Sequence, residues 1–273
     1  MIEGRPSVTA LRAATYRAQH QLLDRPLVFE DPLAVRIIAP CGPMQTPRMA
    51  AVRAFICVRS RFAEDALAVA IAQGCKQYVV LGAGLDTFAY RNSDESLRVF
   101  EVDHPATQTW KRGLLAEAGI SIPQGVAHVP VDFATQVLAP QLREAGFDTT
   151  KPAFFSWLGV TPYLDEGAIL ETLAVVRQLH PGNGIVFDYM LPRANLSLRG
   201  SVAHWAISRY VASLGEPMKS GFSPEVMRGH LVKIGFSAVH EIDCPGLNAR
   251  YFKGRGDGLR VAGRLAQLVS ASG

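Results

Sequence analysis

A chain of 273 residues, 48% hydrophobic and 19% charged, can bury a full core and suits a single α/β domain carrying a helical extension. Its formal charge of +4 is scattered, with no like-charge block or basic stripe to support nucleic-acid binding, and no apolar run is long enough for a membrane span or a signal-peptide core. Cys41, Cys57, Cys75 and Cys244 fall at no metal or redox spacing, so buried thiols in a cytoplasmic protein without a metal are expected.

Up to about Gly74 the periodicity is helical. In "SVTALRAATYRAQHQLLD" Leu11, Ala14, Ala18 and Leu22 share a face, and "RAFICVRSRFAEDALAVAIAQG" ends on a glycine suited to a helix C-cap. The intervening "RPLVFEDPLA" is broken by prolines. From Lys76 onward short apolar runs alternate with helical stretches. The pattern predicts strands at 77–81, 98–102, 127–131, 153–158, 185–189, 238–242 and 250–252, and helices at 105–118, 140–145, 165–179 and 224–234. Such alternation implies a doubly wound, mostly parallel sheet. The last two strands, with no helix between them, are expected to form an antiparallel edge hairpin. Residues 192–221 interrupt the rhythm after the fifth strand and are expected to overhang the carboxyl ends of the strands, where open α/β sheets bind ligands. The organisation read here is a helical cover over 1–74, a core over 75–191 and 222–273, and a lid over 192–221.

The stretch "QYVVLGAGLDTFAYR" is a buried strand entering a glycine turn. Gly82 and Gly84 permit a sharp turn and close approach of backbone to a ligand, but Thr87 stands where a dinucleotide fingerprint has its third glycine. On the next strand, "RVFEVDHP" places Glu101 and Asp103 on one face about 20 residues after the glycines, where a carboxylate accepts ribose hydroxyls. At the third strand end, "VPVDF" sets Asp132 beside Phe133, a hydrogen-bond acceptor next to a flat ring, suited to adenine. The adenosine half of a nucleoside ligand is provided for and a pyrophosphate is not. S-adenosylmethionine matches that pattern.

With these residues in view, "VRSRFAEDAL", "LGAGLDTFAYR", "FEVDHPATQTWKR", "VPVDF" and "FFSWLGVTPYL" resemble the leucine carboxyl methyltransferase type of S-adenosylmethionine-dependent methyltransferase, in particular its bacterial small-molecule branch. The resemblance runs from Thr9 to about Gly258. It implies a Rossmann-like seven-stranded methyltransferase sheet under an N-terminal helical cover. It also implies that Arg59 pairs with the cofactor carboxylate, Gly82 lines the methionine end, Asp103 and Glu101 hold the ribose, and Asp132 and Phe133 hold the adenine. A guanidinium suits the first role because it grips a carboxylate bidentately. One departure stands out: relatives often carry a Glu where this chain has Leu158, which is still expected to line the pocket. Asp86 is a candidate for the missing carboxylate's work.

The expected reaction is in-line methyl transfer to an oxygen of a small-molecule carboxylate or hydroxyl. A carboxylate is already ionised at neutral pH, whereas a hydroxyl gains from a general base. Candidate groups near the acceptor are Tyr163 after the fourth strand, and His204 and Arg209 in the insertion, with Arg17 and His20 of the first helix as further possibilities. A nicotinamide-dependent oxidoreductase and a non-catalytic cofactor binder are the competing readings.

Overall fold

Strong apolar runs of four to seven residues form the strands of one sheet in this computed structural model, which describes all residues except 1–6, 43–48, 134–135, 197 and 214 and the side chains of 199, 203 and 207. The strands are β1 (Gln77–Leu81), β2 (Arg98–Asp103), β3 (Val126–Pro130), β4 (Phe154–Trp157), β5 (Gly184–Met190), β6 (Ala238–Ile242) and β7 (Ala266–Ser272). They make a seven-stranded sheet in the order β3-β2-β1-β4-β5-β7-β6. All neighbours pair in parallel except β7, which runs antiparallel to both β5 and β6. Every residue of β1 and of β4 is buried, as expected for parallel strands covered on both faces.

The helices are α1 (Val8–Leu23), α2 (Pro32–Ile38), α3 (Ala50–Ala72), α4 (Phe88–Arg91), α5 (Pro105–Glu117), α6 (Leu138–Glu144), α7 (Glu166–Leu179), α8 (Leu198–Ser213), α9 (Pro224–Ile234) and α10 (Cys244–Tyr251). Their ends follow local chemistry. Ser7 accepts from the Ala10 N–H at the start of α1, and Asp31 accepts from the Ala34 N–H ahead of Pro32 at the start of α2. Ser223 caps α9, which ends at Gly235 in the left-handed region at φ 105°.

The sheet is sandwiched. Val79, Leu81, Phe100, Phe155 and Phe187 face Leu142 of α6, Leu173 of α7 and Leu231 of α9. Tyr78, Val80, Val186 and Leu268 face Val58 and Leu67 of α3 and Leu247 of α10. A further cluster joins Ala14 and Ala18 of α1 to Ile37 of α2, Leu114 and Leu115 of α5, and Leu85 of the glycine loop. The N-terminal helices are therefore packed directly onto the loop that follows β1.

The expected strand at 250–252 is corrected: those residues close α10. Asp243 accepts from the Gly246 N–H and Pro245 sits in the first turn, so a capped helix start overrides the β-prone aromatics of "RYF". The last strand is instead "AQLVSAS", which inserts between β5 and β6 and leaves β6 at the edge. The antiparallel pairing of the final two strands is present, but α10 and a loop lie between them in sequence.

Candidate active site

A cavity of about 570 Å³ opens at the carboxyl ends of β1, β2, β4 and β5. The segments following those strands form its floor, α1 and α3 supply a wall, and residues of the insertion from Tyr210 to Lys219 close the other side.

The glycine loop is held in place by its surroundings. Gly82 and Gly84 have φ of 65° and 48°, a region L side chains rarely adopt. A Cβ on Gly82 would stand 2.3 Å from Val160 Cγ2, and one on Gly84 would stand 3.0 Å from Ala10 Cβ. The Gly84 N–H donates to Asp103 Oδ2 at 2.5 Å, and the His104 N–H donates to Asp103 Oδ1 at 2.6 Å. Burial pushes the Asp103 carboxyl above its ordinary value, against the lowering effect of those two bonds. Each carboxylate oxygen accepts more than one hydrogen bond, so Asp103 retains acceptor capacity at the cavity wall.

Thr87 donates to Asp31 Oδ1 at 2.5 Å, and Arg17 donates to Asp31 Oδ2 at 2.8 Å and to the Leu85 carbonyl at 2.6 Å. Asp31 is lowered: burial alone would raise it, but Arg17, Arg91 and the Thr87 hydroxyl together outweigh that. The residue in the third-glycine position thus ties the loop to the N-cap of α2. Asp86 also lines the cavity, and its Oδ1 accepts from the Phe88 N–H two residues on at 2.8 Å.

At the opposite end of the floor, Arg59 Nη1 donates to Asp188 Oδ2 at 3.1 Å, and the Gly159 N–H donates to Asp188 Oδ1 at 2.5 Å. Gly159, at φ 71°, lies so close to the guanidinium that a Cβ there would be 2.6 Å from Arg59 Nη2. A guanidinium carries five N–H donors, so the bond to Asp188 leaves donors for a ligand carboxylate. Asp132, Phe133 and Leu158 complete the wall. Tyr163 faces the cavity from the turn after β4, and burial pushes its phenol above the usual range, with the Glu216 charge adding to the effect.

The structure therefore brings Arg59, Gly82, Gly84, Asp86, Asp103, Asp132, Phe133, Leu158 and Tyr163 to one cavity. Three expected residues lie elsewhere. Glu101 points beneath α5, where its carboxylate accepts from Lys111 Nζ at 2.8 Å and from the Tyr90 hydroxyl at 2.8 Å; it is fully buried outside the cavity lining. Burial pushes that carboxyl up, with Lys111 opposing the rise. His204 sits seven residues before Val211 on α8, roughly 10 Å further along the helix, with Nδ1 3.4 Å from Ser208 Oγ. Arg209 is turned outward, its Cζ 5.5 Å from the ring centroid of the exposed Trp205. Of the first-helix candidates, Arg17 reaches the wall but is committed to Asp31. His20 is buried outside the lining, between Asp24 at 2.7 Å and the Val28 N–H.

Two residues of the lining were given no part in the ligand site by the sequence. Asp188 follows "IVF" in β5 and was legible as an acid in an otherwise apolar buried strand. Glu216 lies in "LGEPMK", a stretch with no periodicity to mark it.

The donor set suits S-adenosylmethionine: a guanidinium with spare donors, a glycine cradle that a Cβ would fill, a carboxylate at the β2 end, and an acid beside an aromatic ring at the β3 end. Among the described residues no group of three or more His, Cys, Asp or Glu side chains is placed to hold a metal ion. The family model described as leucine carboxyl methyltransferase matches residues 10–177. A Bacillus subtilis protein, YktD, named as an S-adenosyl-L-methionine-dependent methyltransferase, is 32% identical, with 95% of each chain covered.

This chain belongs to the leucine carboxyl methyltransferase family. Its activity class is S-adenosylmethionine-dependent methyl transfer, which displaces the nicotinamide alternative. A relative from Saccharopolyspora erythraea with the same methyltransferase designation is 36% identical over 63% of each chain. Among solved structures, a DUF574 family protein from Streptomyces avermitilis superposes with a TM-score of 0.59 at 17% identity, covering 96% of this chain and 97% of that one. The Synechocystis magnesium protoporphyrin IX methyltransferase, solved with bound S-adenosylhomocysteine, gives 0.52 at 11% identity, covering 87% and 92%. At those identities the likeness is one of fold, a Rossmann-like α/β sheet.

Proposed function

We propose that this family member transfers a methyl group from S-adenosylmethionine to an oxygen of a small-molecule carboxylate or hydroxyl. The observation that carries the reading is the continuity of one cavity from Asp132 and Asp103, through Arg59, to Tyr163 and the insertion. Its volume lies within the ~300–1,000 Å³ typical of small-ligand pockets. In this reading Arg59 grips the cofactor carboxylate, Asp103 accepts from the ribose hydroxyls, Asp132 accepts from the adenine amine, and Phe133 packs on the adenine face. Gly82 and Gly84 let the backbone approach the ligand, and Leu158 supplies apolar wall where relatives carry a Glu.

Bound there, S-adenosylmethionine supplies an electrophilic methyl group on a sulfonium. The protein's part is positioning, worth ~7–11 kcal/mol of such a barrier when reacting atoms are held in line. α1, α3 and the insertion line the cavity opposite the strand ends. Tyr163, held protonated by its burial, serves as a hydrogen-bond donor that orients the acceptor. No helix among the described residues is long and apolar enough to cross a membrane, and Cys41, Cys57, Cys75 and Cys244 are free, which supports work in the reducing cytoplasm.

The reading is tested by incubating the protein with S-adenosylmethionine tritiated in the methyl group and a panel of aromatic and aliphatic acids and phenols. Transfer of label to an oxygen of one of them is expected. Tight cofactor binding with label moving to none of them, or only to protein side chains, would overturn it.

A further inference from the structure

Arg12 and Tyr16 lie one turn apart on α1, the i,i+4 spacing that makes side chains neighbours on a helix, and both line the cavity. The other arginines and the lysine of the lining are paired with carboxylates: Arg17 with Asp31 at 2.8 Å, Arg59 with Asp188 at 3.1 Å and Lys219 with Asp165 at 3.2 Å. The Arg12 guanidinium instead makes no ion pair or hydrogen bond with a described residue, and its Cζ stands 4.2 Å from the centroid of the Tyr210 ring near the end of α8. A ring face attracts a cation through its quadrupole and leaves guanidinium N–H groups for another partner.

Tyr16 is 7% exposed, and its hydroxyl likewise makes no hydrogen bond with a described residue. Neither this hydroxyl nor the Arg12 guanidinium is among the polar atoms sealed from solvent without a partner, so a group in the cavity can reach both. Burial pushes the Tyr16 phenol above its ordinary value, which keeps it a donor at neutral pH, and the charges that act on it are the two cations Arg12 and Arg53. α1 thus turns two neighbouring donors into the cavity, one of them charged.

We propose that Arg12 and Tyr16 anchor a carboxylate of the methyl acceptor, so that the acceptor is an organic acid whichever of its oxygens is methylated. This rests on the methyl-transfer reading above and deepens it by naming the residues that select the acceptor. A guanidinium and a phenol hydroxyl together meet both oxygens of a carboxylate with charge-assisted hydrogen bonds. One unpaired guanidinium matches its single charge, whereas a phosphate dianion would call for a second cation, and the other three are committed. An amine acceptor would set an ammonium against Arg12, which is repulsive.

The test incubates the full-length protein with methyl-tritiated S-adenosylmethionine and a bacterial metabolite extract, and identifies the labelled acceptor by mass spectrometry. An acceptor that carries a carboxylate before methylation is expected. A labelled acceptor without one overturns the anchor and leaves methyl transfer standing, whereas failure to label anything sinks the methyl-transfer reading and the anchor with it. With the acceptor in hand, Arg12→Gln should raise its KM about 10- to 100-fold while kcat stays within about threefold, and Arg12→Lys should recover part of the loss. Tyr16→Phe should raise KM about 10-fold. S-adenosylhomocysteine should bind the wild type and all three variants within about threefold by calorimetry. Charge selectivity separates an anchor from a structural group: the primary amide of the same acid, used as a competing ligand, should bind the wild type about 10-fold or more weakly than the acid, and the two should bind Arg12→Gln about equally. An unchanged KM, or an equal loss of acid and amide, overturns the proposal. So does an about tenfold loss of S-adenosylhomocysteine affinity in Arg12→Gln, which would assign Arg12 to the cofactor.

Discussion

Where β1, β2 and β5 end, the acids of the cavity are answered by the protein: Asp103 by the Gly84 and His104 N–H groups, Asp188 by Arg59 and the Gly159 N–H. Across the cavity, on the insertion, Glu216 Oε2 is answered by no donor among the described residues, and His204 and Arg209 lie outside the lining. The first wall is preorganised, because its groups stand on strand ends whose geometry the sheet fixes before any ligand arrives. The second stands on the end of α8 and the turn after it, held by the Glu216 N–H on the Val211 carbonyl and the Lys219 N–H on the Pro162 carbonyl.

The comparison breaks most severely at Arg59. Arg59→Ala leaves Asp188 buried with one partner fewer, and removing one member of a buried pair costs about 3–5 kcal/mol. Chemical denaturation should show that loss, and Asp188→Asn in the same background should recover part of it; an Arg59→Ala protein of unchanged stability would mean that the pair does not organise the wall. Thr87→Gly, which restores the glycine of a dinucleotide fingerprint, removes a hydrogen bond to the ionised Asp31 and should cost about 1.5–3 kcal/mol in stability. It should create no saturable binding of NADH by tryptophan fluorescence, because the hydroxyl serves α2 rather than excluding a pyrophosphate. Asp103→Ala should weaken S-adenosylhomocysteine binding by about 1–3 kcal/mol in calorimetry. An unchanged affinity would remove Asp103 from the site.

Smaller effects test the edges of the wall. Burial and the neighbouring Lys111 and Arg112 charges pull His128 down to about 4, so it stays neutral in the fold while an unfolded chain protonates it below about 6.5. The unfolded state binds the extra proton, and stability should fall as pH drops through that window, from about 6.5 to about 4. His128→Asn should flatten the slope of the melting temperature there; an unaltered slope would assign it to other groups. His204→Ala and Arg209→Ala, both outside the cavity, should change methyl-transfer rates by less than about twofold, within the small range of exposed substitutions.

Much of the preorganised wall was legible in the sequence, because strand ends announce themselves. Short apolar runs located six of the strands, and the glycines, Asp103, Asp132 and Phe133 followed from their places at those ends. Alternation misled at Glu101, since a strand covered on both faces can turn an acid inward when a helix brings it a lysine, and Lys111 lies ten residues on in α5. The seventh strand was misplaced at 250–252: "RYF" carries two β-forming aromatics but is preceded by Asp243 and Pro245, and the cap prevails. The insertion was the least legible. Which side of α8 faces the cavity depends on how its end is stitched to Pro162, a contact between residues more than fifty positions apart, so His204 and Arg209 drew attention by chemistry while Glu216 passed unnoticed.

The central claim is that one cavity holds S-adenosylmethionine across the Arg59 and Asp103 wall. A crystal structure of the protein with S-adenosylhomocysteine tests it most directly. The account predicts the ligand carboxylate on the Arg59 guanidinium, the ribose hydroxyls on Asp103, and the adenine between Asp132 and Phe133. A ligand bound with its ribose away from Asp103, or with its carboxylate on another cation while Arg59 keeps Asp188 alone, would contradict it.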